Sequence, residues 1–210
     1  MMEENLGKQH FHVLFVDDDS DEAYLFNEAI EQLDKAECGA HYIIIYPDLF
    51  TLRELYSSYI HNQIEENNGI VQINPFYETA NSVRQILSEK YNDGVNDISK
   101  HEKEKSLVII DSLKEYFGNP HHMYFKKSLA NYARQIGKNC LSILADMGAY
   151  SYKSKSNDLV DYESSLPTQY NMPLKGFCLY HEKDFDKFSH EQKQKLIEHH
   201  GKAIEIVESK

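Results

Sequence analysis

Short, unbroken apolar runs alternate with amphipathic stretches along most of this chain, and that alternation limits its fold more than any other feature. The first run, His12, Val13, Leu14, Phe15 and Val16, has the β-branched and aromatic character of a buried strand. It breaks at Asp17, Asp18 and Asp19, after which Phe26, Ile30 and Leu33 recur at helical spacing. Asp19 is placed to cap that helix, with Glu22 three residues on as its reciprocal partner. The run 42–46 reads as a second strand stopped by Pro47, residues 49 to about 65 as a helix, Asn68 and Gly69 as a turn, and 70–73 as a short third strand. Residues 80–90 are helical in pattern. The polar stretch 91–105 reads as a surface excursion before the apolar run 107–110, which suits a strand covered on both faces. Phe125, Leu129, Tyr132, Ala133 and Ile136 define a helix that stops at Gly137, and 141–145 forms a fifth strand.

Beyond Asp146 the alternation falters, because 147–172 is rich in Tyr, Ser and Lys with few apolar pairs. Strand character returns over 174–180. Ser189 with Gln192 makes a capping box for a helix running to His199, His200 and Gly201, and 203–207 closes the chain as a strand. Repeated strand–helix units predict a three-layer α/β fold: a mostly parallel sheet with right-handed crossovers and helices on both faces. The last two strands are expected to extend it antiparallel at the edge. All 210 residues read as one domain with its core over about 10–207.

Charge narrows the function. With 22 Lys+Arg against 34 Asp+Glu the formal net charge is −12, which opposes binding to nucleic acid or an anionic membrane. No apolar run approaches the ~18 residues of a spanning helix. The opening MMEENLGKQH lacks the apolar segment of a signal peptide, so a cytoplasmic location is expected. Cys38, Cys140 and Cys178 form no CxxC pair and read as small buried hydrophobes.

In an open parallel sheet ligands bind at the carboxyl ends of strands, so the turns after each strand carry the chemistry. The first of these holds Asp17, Asp18, Asp19, Asp21 and Glu22 around Ser20, with no glycine and no lysine. Two unit charges ~6 Å apart repel by about 3 kcal/mol at an effective dielectric near 20, more than the helix-terminus field returns. A phosphate-cradling loop is thereby excluded. The eleven histidines include the close pairs His10 and His12, His121 and His122, and His199 and His200. HxxxH, HExxH and a Cys/His quartet are absent from the sequence, so neither a metal nor a cofactor is expected. Cys178 and His181 have no third group to orient them, and no catalytic residue is assigned.

Several segments together resemble one family. They are the first strand with its acidic turn, the 42–46 strand with Pro47, and the 70–73 strand. To these add Leu144, Ala145, Asp146, Met147 and Gly148; Tyr162 and Glu163; and Phe177, Cys178, Leu179, Tyr180 and His181 with Asp184 and Phe185. In these the chain resembles the MEDS family, the methanogen/methylotroph sensory domain also found in a dichloromethane-responsive regulator. The resemblance implies a RecA/KaiC-like core that has lost its phosphate loop and senses small molecules, often hydrocarbon-like or one-carbon compounds. It also implies output through a partner, because members are usually fused to DNA-binding or kinase modules.

The expectation is therefore a non-catalytic sensing and signal-transduction module that acts through a kinase, a transcription regulator or a second copy of itself. The ligand is expected above the strand ends, among Tyr46, Phe76, Tyr77, Asp111, Asp146, Met147, Tyr150 and Tyr162, with Glu163 and His181 as polar anchors. The alternative from the enzyme class is a divergent nucleotide-binding or hydrolysing RecA-like protein with Mg²⁺ on Asp17, Asp18 and Asp111 and Lys114 as the nearest cation. A receiver-like phosphoswitch and a protein-interaction scaffold remain further alternatives.

Overall fold

The structure, a computed structural model, describes residues 10–14, 19–90, 98–118 and 122–207. Asp17 and Asp18 of the acidic turn lie outside the described residues, as does 91–97 of the polar excursion. Seven strands form one sheet: β1 (His10–Leu14), β2 (His41–Tyr46), β3 (Ile70–Asn74), β4 (Leu107–Ile109), β5 (Leu141–Asp146), β6 (Leu174–His181) and β7 (Lys202–Val207). Their order across the sheet is β1-β7-β2-β6-β5-β3-β4, and every neighbouring pair is parallel. The chain thus steps outward through β1, β2, β3 and β4 and returns through β5, β6 and β7.

Right-handed crossovers put the connections of the outward half on one face and those of the returning half on the other. The packing follows this rule. Helices α1 (Asp19–Asp34), α2 (Leu49–His61), α3 (Ala80–Lys90) and α4 (Ile98–Lys103) bury Leu33, Leu55, Val83, Leu87 and Ile98 against Ile44, Val71, Leu144 and Leu179. Helix α5 (His122–Gln135), α6 (Gly148–Tyr152), α7 (Ser156–Ser165), α8 (Glu182–Phe185) and α9 (His190–His199) lie along the returning half. Their Leu129, Ala133, Leu159 and Leu196 pack on Ile43, Ile143, Cys178 and Tyr180 of the opposite face. Alternate residues of one strand serve the two cores, as the two-residue strand period requires. The arrangement is consistent with the three-layer RecA-like fold expected from sequence.

Several expectations are corrected. The last two strands are neither antiparallel nor together at the edge: β6 lies between β2 and β5, and β7 between β1 and β2. All but the last of the eight residues of β6 are buried, which requires cover on both faces, and the α8–α9 segment is long enough to make a parallel crossover to β7. The segment 147–172, irregular by pattern, contains α6 and α7. Part of the polar excursion is helical, as α4, and α1 begins at Asp19 itself, so Asp19, Asp21 and Glu22 form its first turn.

Local signals are otherwise obeyed. Asp48 caps α2 by accepting from Thr51 N at 2.8 Å, and α2 runs on into a π-helical turn over Asn62–Glu66. Ser189 and Gln192 make both bonds of the capping box on α9. The Cys38 and Cys140 sulfurs lie within bonding distance, with Cα atoms 6.1 Å apart, so only Cys178 is the isolated buried thiol expected of all three. Among the described residues no helix is long and apolar enough to cross a membrane.

Candidate functional site

The carboxyl ends of β2, β3, β5 and β6, where a ligand was expected, are closed on themselves. The Tyr46 hydroxyl donates to Asp146 Oδ2 at 3.2 Å and Gly148 N donates to Oδ1 at 2.9 Å, while the Ser112 hydroxyl donates to the Asp146 carbonyl at 2.8 Å. Burial pushes the Asp146 carboxyl up to about 7, despite those donors. Phe76 and Tyr77 lie over Gly148, where any Cβ would collide with Phe76 Cδ1. Tyr77 donates to Asp184, which also accepts from Ser151 Oγ at 2.8 Å and Lys187 Nζ at 2.6 Å. Burial raises the Asp184 carboxyl, but Lys187, Tyr77 and Ser151 outweigh it and hold the group below its usual range. His181 rests its ring against Tyr46 and Tyr77, at 5.3 and 5.2 Å between centroids. A small space of about 10 Å³, bounded by Leu52, Tyr56, Asn74, Glu78 and Asp146, lies beside this group, about what one water needs. Asp111 is exposed and accepts from Lys114 N at 3.1 Å, an end-of-strand turn bond.

A second constellation lies on the α5–α7–α9 face, and it joins residues that the sequence leaves far apart. His41 opens β2, Glu163 sits in α7, Cys178 is central in β6, and His200 caps the carboxyl end of α9. Residues 41 and 43 of β2 pair with 176 and 178 of β6, so His41 and Cys178 project from the same face. Gly176 opposite His41 leaves space for the Tyr170 ring, which a Cβ there would meet at 2.9 Å and which packs on His41 at 5.0 Å. The loop bearing Tyr170 is held over β2 by Tyr170 N to the Gly39 carbonyl and by Gly39 N to the Leu174 carbonyl, both 2.8 Å.

Potential ligand atoms of these four residues all lie within 4.8 Å of one another, and all four residues are buried. Glu163 Oε2 is 3.5 Å from His41 Nε2, 3.3 Å from His200 Nε2 and 3.4 Å from Cys178 Sγ, and the Sγ is 3.5 Å from His41 Nε2. His41 Nδ1 donates to the Pro167 carbonyl at 3.0 Å and His200 Nδ1 donates to the Leu196 carbonyl at 2.7 Å. A carbonyl can only accept, so both rings carry a proton on Nδ1 and direct Nε2 at the carboxylate. His200 Nε2 and Glu163 Oε1 make no hydrogen bond. Burial pushes the Glu163 carboxyl up, but His200 and His41 outweigh it and bring it to about 2. The same burial holds the His41 imidazolium below its usual pKa and the Cys178 thiol well above its own.

A cavity of about 30 Å³ adjoins this cluster on its Glu163 and Cys178 side. Tyr116, Lys126, Met147, Tyr162 and Tyr170 complete its polar and aromatic wall, with Ile143 and Ala145 below. Lys126 is buried, 3.6 Å from Glu115 Oε1 and 5.3 Å from the centre of the Tyr116 ring; burial lowers its pKa. Tyr150 stacks on Tyr162 at 6.0 Å.

The residues expected to line one site therefore divide. Tyr46, Phe76, Tyr77, Asp146 and His181 gather at the strand ends, Met147, Tyr162 and Glu163 line the cavity with Tyr150 stacked on Tyr162, and Asp111 joins neither. His41 and Lys126 carried no local motif, whereas Cys178 was noted in the 177–181 run and His200 in a close histidine pair, each without these partners. Position was the further signal: histidines at the start of a strand and the end of a helix, and a lone Cys on an inward face. No family model matches the chain, and no match is found among curated proteins. The resemblance to the MEDS family thus rests on the residues that suggested it.

Proposed function

We propose that this chain is a non-catalytic sensory domain that encloses a small ligand in the cavity between α7, α5 and the sheet, and signals its occupancy to a partner chain or a second copy. One observation carries the reading. The cavity lies away from the strand-end residues around Asp146, is walled by Tyr116, Tyr162 and Tyr170, and has Lys126 and Glu163 as its charged groups. A volume of about 30 Å³ admits a water or a molecule of very few heavy atoms. That size agrees with the one-carbon compounds implied by the family resemblance. Against the nucleotide-enzyme alternative stands the packing at Asp146, whose carboxyl accepts from Tyr46 and Gly148 while Phe76 and Tyr77 lie over Gly148.

A thermal-shift comparison of methanol, methylammonium and dichloromethane against Mg-ATP tests the proposal. The expected result is stabilisation by at least one one-carbon probe, lost in Ala145→Leu, which fills the cavity floor. Stabilisation by Mg-ATP alone would favour the enzyme reading.

A further inference from the structure

We propose that His41, Glu163, Cys178 and His200 form a binding site for a single transition-metal ion of the zinc type. The inference stands independently of whether the neighbouring cavity holds a ligand.

The first ground is geometric. A tetrahedral zinc ion with bonds of 2.0–2.3 Å places its ligand atoms about 3.3–3.8 Å apart. Four of the six donor pairs are separated by 3.3 to 3.5 Å, and no pair exceeds 4.8 Å. A hydrophobic core does not bring four such atoms together by packing, because each must lose its water to get there.

The second ground is the environment of the imidazoles. In metal sites the ring nitrogen away from the ion usually donates to a carbonyl or carboxylate, which fixes the tautomer and aims the lone pair. Both rings do this here, His41 to Pro167 and His200 to Leu196. The aimed atom of His200, Nε2, is fully buried and makes no hydrogen bond, and Glu163 Oε1 is in the same condition. A cation set among the two Nε2 atoms, Glu163 Oε2 and Cys178 Sγ would take the place of the protons that otherwise make the imidazole–carboxylate contacts attractive, and would give the unbonded His200 Nε2 a partner.

The donor set selects the ion. One sulfur, two imidazole nitrogens and one carboxylate oxygen suit Zn²⁺ or Co²⁺, whereas Ca²⁺ and Mg²⁺ take oxygen shells of six or more. Four protein ligands, all buried, describe a closed site that organises structure. An ion there would tie β2, α7, β6 and α9 to one point. It would also fix Glu163 and Cys178, which are two walls of the cavity.

The untagged full chain, stripped with chelator and then given Co²⁺ or Zn²⁺, provides the test. The expected result is one equivalent retained after gel filtration, with a thiolate-to-cobalt charge-transfer band and the visible bands of tetrahedral Co²⁺. Cys178→Ser should abolish the charge-transfer band, and His41→Ala should weaken zinc by about 100-fold or more. His199→Ala, outside the cluster, should change neither. If a variant is misfolded by circular dichroism, the wild-type spectrum decides. A folded wild-type chain that retains no equivalent, or that binds cobalt without a thiolate band, would overturn the proposal as an adventitious ion only.

Discussion

His41 and His200 face one another across the β2–α9 junction with ring centroids 4.1 Å apart, and each commits its Nδ1 proton to a backbone carbonyl. One ring comes from the first residue of a strand and the other from the cap of a helix, and β7, which begins two residues after His200, pairs with β2. Between their remaining nitrogens lies Glu163 Oε2, and Cys178 closes the group from β6. The placement of β7 and β6 on either side of β2 thus brings three of the four donors together.

Zinc should stabilise the chain if it binds only the folded state. At a free concentration a hundredfold above its dissociation constant, linkage gives about 2.7 kcal/mol. Urea unfolding with buffered zinc should show that gain, and Glu163→Gln should reduce it. Equal unfolding midpoints with and without zinc would contradict the expectation.

Asp146 should impose a pH slope on stability. Its carboxyl is raised by burial from 3.8 to about 7 in the folded chain, so the folded state binds the proton more tightly than the unfolded one. The stabilisation is complete below about 4 and is lost as pH rises towards about 7. Denaturant titrations across that window should show stability falling, by the order of 1 kcal/mol per pH unit at most, and Asp146→Asn should flatten the fall.

Lys126 and Glu115 form a buried ion pair at 3.6 Å. Lys126→Met leaves a buried carboxylate without its cation and should cost about 3–5 kcal/mol. Adding Glu115→Gln removes the stranded charge, so the double variant should recover much of that loss. A double-mutant cycle with additive effects would refute the coupling.

Gly148→Ala tests the sealing of the strand ends. A Cβ there collides with Phe76 and comes within 2.9 Å of Tyr77, so the aromatic pair must shift. The expected loss is about 1–3 kcal/mol, read from the urea midpoint. An unchanged midpoint would mean that the crevice is looser than its contacts indicate.

Much of the fold was legible because strand runs and helix caps are local: the 42–46 run, the break at Pro47 and the Ser189–Gln192 box each predict their own element. The places of β6 and β7 were not, since a strand does not record its neighbours, and the polar 147–172 segment concealed α6 and α7. At the site, Tyr162, Glu163 and Met147 were singled out from the sequence, yet they line a cavity away from the strand ends where they were placed, and Tyr150 stacks behind Tyr162. His41 and Cys178 are separated by 137 positions and Cys178 and Glu163 by 15, so no motif spacing could join them. They meet because β2 and β6 are adjacent and in register, with α7 crossing above.

X-ray absorption at the zinc edge of the loaded, untagged chain reads the donor set itself. A four-coordinate ion is expected, with one sulfur at about 2.3 Å and three nitrogen or oxygen ligands near 2.0–2.1 Å. A six-coordinate shell of light atoms with no sulfur would contradict it.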